Sequence, residues 1–172
     1  MIALDVYSVE SIYYHPTVQK LAGEKLAAVV GGDLKEKLDR ANVDAIKAIR
    51  DNAKHLSMRI AEKSARAQIF SLLPKKGEIA EGGTRTAKID FAKCAQDEMN
   101  RLETLVNASD FVGILQRYPI RESAALDAIA KALNFADRNQ YEAAVRNLLV
   151  QDPEAVKLIR TLLGSFPCGL IA

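Results

Sequence analysis

The sequence predicts a mainly α-helical protein: a long helical hairpin leading into a compact bundle of short helices, with a single β-strand at the N-terminus. Three observations carry this. The apolar content, 49% of 172 residues, is dominated by Ala, Leu, Ile and Val, with 6% aromatic residues and no Trp. That mix favours helices over sandwiches and barrels, which want β-branched and aromatic residues and dense turns. Residues 33–73 contain neither Gly nor Pro, and apolar side chains recur there at steps of three and four, the helical repeat.

Taken in order, residues 2–9 hold a run of β-formers. Leu4 and Val6 fall on one face and Tyr7 and Val9 on the other, which reads as a strand that must find a partner. His15-Pro16 starts a helix over 16–30, because Pro suits the first helical turn. Val18, Leu21, Ala22, Leu26 and Val29 form its stripe, and Gly31-Gly32 closes it. Asp33 is a good N-cap for the next helix. From there Ile46, Ile49, Ala53, Leu56, Ile60, Lys63, Ala67 and Phe70 trace a heptad seam. One continuous helix over 33–73 would be about 60 Å long, with Asn42 marking a bend beside a shift in register. Residues 74–85 read as a loop. Helical spacing resumes over 86–108 (Ile89, Ala92, Ala95, Met99, Leu102, Val106), completing an antiparallel pair.

The last third divides at its caps. Ser109 or Asp110 opens a helix ending near Tyr118-Pro119, and Ser123 opens 124–135. Asp137 precedes 138–150, and Asp152-Pro153 opens 153–163. The predicted organisation is therefore 1–32 (strand and helix), 33–108 (hairpin with loop 74–85), 109–164 (compact bundle) and 165–172 (apolar tail).

Charge and motifs exclude more than they identify. With 24 basic and 22 acidic residues the net charge is +2, so no strong global field points to nucleic acid or anionic lipid. Cys94 and Cys168 lack CxxC spacing or companion histidines, so no metal site is expected and both read as reduced thiols. No apolar run is long enough for a membrane span, and no leader pattern appears, so a cytoplasmic chain without membrane partners is expected. The only histidines are His15 and His55, and no nucleophile-elbow, zincin or Walker pattern occurs. Glu81-Gly-Gly-Thr-Arg-Thr lacks the Gly-Lys-Ser/Thr core of a phosphate loop. No cofactor is expected.

Two regions suggest binding. Over 33–76, eleven Lys and Arg face six Asp and Glu, with Arg59, Lys63 and Arg66 on one face; such a stripe suits phosphates or an acidic helix. Residues 123–150 have helix-turn-helix rhythm, and Arg138 and Arg146 would then face a duplex.

Residues Asp5-Val-Tyr-Ser-Val-Glu-Ser-Ile-Tyr-Tyr-His-Pro16 resemble a strand-to-helix segment of OLD-like, TOPRIM-type proteins. These join an AAA/ABC-class ATPase to a metal-dependent nuclease-like domain, often in phage defence. Val9, Glu10, Ser11, Ile12, Tyr13, Tyr14 and Pro16 match that segment; the acidic cluster preceding it and the Walker motifs have no counterpart here. The resemblance implies a helical C-terminal region downstream of such a core, with Glu10 the one candidate for a metal or catalytic role.

The resulting expectation is a non-catalytic helical interaction or oligomerisation module. Its seam (Ile46, Ile49, Leu56, Ile60, Phe70) would be buried against 89–106 and, beyond that, against a protein partner or a second copy. The rival expectations are a nucleic-acid-binding domain using Arg59, Lys63, Arg66, Arg138 and Arg146, and a fragment of a metal-dependent nuclease using Glu10.

Overall fold

Side-chain caps and backbone breakers set the helix boundaries in the computed structural model, which describes residues 9–74, 76–82 and 88–163. The strand expected over 2–9 lies outside the described residues except for Val9, which begins a helical turn, α1 (Val9–Tyr13). His15 is extended and its ring accepts from the Thr17 N–H, so Pro16 can open α2 (Pro16–Lys25). The expected helix over 16–30 breaks at Leu26, leaving α3 (Ala27–Val30) as a last turn. Gly31 and Gly32 end it with φ of 59° and 63°, a left-handed region costly for other residues.

Asp33 caps α4 (Leu34–Asp51) by accepting from the Lys35 and Glu36 N–H groups at 2.8 and 3.3 Å. The long helix does not run straight into α5 (Ala53–Ser71); it is interrupted at Asn52, with Asn42 inside α4. The Asn52 side-chain amide donates to the Ala48 carbonyl at 3.0 Å, competing locally with the helical ladder. The expected loop 74–85 contains a short helix, α6 (Lys76–Glu81). Asp90 then caps α7 (Phe91–Asn107), and Asp110, rather than Ser109, caps α8 (Phe111–Arg117) through the Gly113 N–H at 2.9 Å. A 3-10 turn at Ile120–Glu122 precedes α9 (Ala125–Ala132), which is shorter than the expected 124–135. Asp137 and Asp152 stand before α10 (Arg138–Gln151) and α11 (Pro153–Leu163), as their spacing predicts.

Packing divides α4 from α5. The main neighbour of α4 is α9, with α2 alongside, whereas α5 lies along α7. Ala41 and Ala45 of α4 and Ala125 and Ala130 of α9 are all buried, and side chains this small let two helix axes approach closely. At Gly23 of α2 an added methyl would collide with the Leu34 side chain of α4. Around these pairs one apolar core runs through Ile49, Leu126, Ile129 and Leu133, each contributing on the order of 2 kcal/mol through burial. No buried side-chain nitrogen or oxygen among the described residues lacks a hydrogen-bond partner.

Candidate interaction surface

The α5–α7 hairpin carries the largest contrast between sequence pattern and surroundings. Its inner face holds Leu56, Ile60, Leu102 and Val106, all buried. Ser57, also buried, donates to the Lys54 carbonyl and approaches the Met99 sulfur at 3.6 Å.

Two polar clusters fix the hairpin to the rest of the molecule. In the first, Arg117 of α8 grips the buried Glu98 of α7 with two N–H donors, one at 3.0 Å from Oε2 and the other on Oε1. The Tyr118 hydroxyl lies 3.2 Å from Glu98 Oε2. Burial alone would raise the Glu98 carboxyl, but the hydrogen bond and charge of Arg117, with help from Tyr118, hold it below the usual carboxylate range. Burial and the adjacent Glu98 charge push the Tyr118 phenol up to about 12. In the second cluster, Glu122 accepts from Arg59 Nε at 3.2 Å and meets His55 Nε2 at 2.9 Å. Slight desolvation opposes ionisation there, but the contacts with His55 and Arg59 outweigh it and lower the Glu122 carboxyl.

Beyond these anchors the hairpin opens an apolar groove. On α5 it is lined by Met58, Ala61, Glu62, Ala65, Arg66 and Ile69, and on α7 by Phe91, Cys94 and Ala95. The alanines form the floor, and Met58, Ile69 and Phe91 stand up from it, exposed by 50%, 46% and 62%. Phe70 and Leu73, near the end of α5, are also exposed, Phe70 beside Lys63 and Ala67 rather than in the groove. Single apolar residues scattered over a surface are ordinary, whereas several side by side, as here, are a pattern that calls for a physical reason.

The predicted seam divides accordingly. Ile46, Ile49, Leu56 and Ile60 are buried as expected, the first two in the part of α4 that faces chiefly α9 rather than 89–106. Phe70 does not join them: it is 66% exposed, and Lys63 and Ala67 also face solvent. A straight helix drifts about 20° per heptad against a strict seven-residue repeat, so over the two heptads from Leu56 to Phe70 the seam leaves the buried face. The buried stripe of α5 therefore passes through Ala61 and Ala65 instead of Lys63 and Ala67. Met58, Ile69 and Phe91 were not singled out by the seam reading. The signal for two of them was present as a second stripe at 58, 61/62, 65 and 69.

Arg59, Arg66 and Arg138 are engaged with carboxylates. Arg59 and Arg66 both pair with Glu62, at 3.3 and 2.6 Å, and Arg59 also reaches Glu122. Lys63 lies between them on the exposed side. In α10, Arg138 pairs with Glu142 at 3.4 Å, and Arg146 bonds back to the Glu142 carbonyl at 3.3 Å. These cations are not brought into one surface with Arg59 and Arg66.

Glu10 is the second residue of α1. Its neighbours in the TOPRIM-like segment serve the core. Ser11 donates to the Leu115 carbonyl at 2.8 Å, and Tyr14 is fully buried with its ring 4.9 Å from that of Tyr141. The Tyr141 hydroxyl in turn donates to the Tyr13 carbonyl at 2.9 Å. Burial raises both phenols well above the usual tyrosine range.

Among the described residues, no group of three or more His, Cys, Asp or Glu side chains gathers where it could hold a metal ion. Nor is any of their helices long and apolar enough to cross a membrane. Cys94 is a free thiol in the groove wall, and Cys168 lies outside the described residues. The class defined by this architecture is an all-α bundle with one open-faced helical hairpin. Comparison with protein-family models, with curated proteins and with solved structures finds no match to the chain.

Proposed function

We propose that this chain is a helical interaction module whose docking face is the open side of the α5–α7 hairpin. The observation that carries the reading is the groove itself. Three large apolar side chains, Met58, Ile69 and Phe91, rise around a floor of alanines, the relief into which another helix fits. The polar clusters at Glu98 and Glu122 hold the two helices in place without filling that side. The resemblance of residues 5–16 supports placing the module in the C-terminal part of an ATPase/TOPRIM-like protein. The cationic stripe counts for less as a nucleic-acid surface, because Glu62 and Glu122 already answer Arg59 and Arg66.

Dye binding at high dilution tests the reading. An anionic naphthalene dye should fluoresce on the wild-type chain and lose most of that signal in the Ile69→Asp/Phe91→Asp variant, with helicity by circular dichroism unchanged. Equal fluorescence in both proteins, or loss of helicity in the variant, would refute it.

A further inference from the structure

The groove wall on α5 reads almost the same in both directions. Met58 and Ile69 are placed symmetrically about the bond between Lys63 and Ser64. Ala61 with Ala65, and Glu62 with Arg66, are centred within half a residue of the same point. All six residues line the groove. Reversing the helix about that centre therefore exchanges a large apolar residue for another, a small one for another, and a carboxylate for a guanidinium. A face with that property is complementary to an antiparallel copy of itself, which is what an isologous two-fold interface requires.

We infer that the groove docks a second copy of this chain, with α5 antiparallel to α5 across a two-fold axis level with Lys63 and Ser64. The inference rests on the docking-face reading above and names its partner. Met58 of one copy lies against Ile69 of the other, and both leave water together. Ala61 and Ala65 keep the floor low enough for the helices to close on one another. Glu62 and Arg66, paired within one chain at 2.6 Å, extend their pairing across the axis, so no charge is left without a counter-charge. Charge pairs of this kind set the register and orientation of an interface.

Light scattering on the 172-residue chain provides the test. The wild-type mass should approach twice 18.8 kDa with rising concentration, while Met58→Asp and Ile69→Asp should each hold the mass of one chain with unchanged circular dichroism. Glu62→Arg and Arg66→Glu should each weaken the dimer by about tenfold or more, since like charges then meet across the axis. The double reversal Glu62→Arg/Arg66→Glu should restore it. A single-chain mass for the wild type at every concentration would overturn the second-copy inference while leaving the dye result on the open face intact. A dimer that survives Met58→Asp and Ile69→Asp, or a double reversal no better than either single one, would overturn it as well.

Discussion

The two halves of the long helical stretch, α4 and α5, are both amphipathic and follow one another with a single residue between them, yet they meet different fates. Along α4, α9 and α2 pack alongside, so Ala41, Ala45, Ile46 and Ile49 become core while Val43 stays exposed. Along α5, α7 is the chief neighbour among the described residues, and the opposite edge of the stripe stays in water. Composition alone therefore does not decide whether an apolar stripe is core or exposed. The number of helices that the topology brings to it does.

Substitutions test that contrast, beginning with the closed half. Ile129→Ala removes a fully buried side chain opposite α4 and should cost about 3 kcal/mol in urea unfolding. The comparable truncation in the open half, Phe91→Ala, should cost about 0.5 kcal/mol or less in dilute protein. Equal costs would erase the distinction between the halves.

The next largest effect belongs to the clamp that seats the hairpin. Arg117→Met leaves Glu98 buried without its counter-charge and should cost about 2–3 kcal/mol near neutral pH. Because the folded carboxyl is held below its ordinary value, its contribution is present above the unfolded pKa and is lost as pH falls through the lower folded value. Wild-type stability should therefore drop on acidification, and Arg117→Met should flatten that drop in urea midpoints taken from about pH 7 to about pH 3. The alkaline arm has the opposite sign. With Tyr118 raised from 10.0 to about 12, its contribution is present below the unfolded value and lost as pH rises through the folded one, and Tyr118→Phe should reduce that loss.

Smaller still is the cap of α4. Asp33→Ala removes two hydrogen bonds to backbone N–H groups and should lower stability by about 1 kcal/mol. Its effect should fall on the closed half, so hydrogen exchange should accelerate in α4 before α7.

Local chemistry made much of the fold legible. Asp33, Asp110, Asp137 and the Asp152-Pro153 pair mark helix starts because capping involves only the next few residues. Gly31 and Gly32 likewise end α3 through their own backbone angles. Longer-range decisions were less visible. The pairing of α4 with α9 spans about half the chain, and nothing in either stripe names its partner. The interruption at Asn52 depends on one side-chain amide reaching Ala48 inside a run with no breaker. Helical drift within α5 leaves Phe70 outside the buried stripe and Ala65 inside it. The open face was partly written in the 58–69 stripe, and what separates it from core is that no helix among the described residues covers it. Tyr14, which falls in the segment of TOPRIM-type resemblance, is packing: its buried ring lies 4.9 Å from that of Tyr141.

The central claim is that the open side of α5–α7 joins two copies of the chain and contributes little to the folding of one. Urea unfolding midpoints measured across a wide range of protein concentration test it most directly, because a partner that binds only the folded state makes stability concentration-dependent. The wild-type midpoint should rise with concentration, whereas that of Ile69→Asp/Phe91→Asp should stay flat at the dilute wild-type value. A variant that unfolds well before the dilute wild type, or a wild-type midpoint that never moves, would contradict the claim.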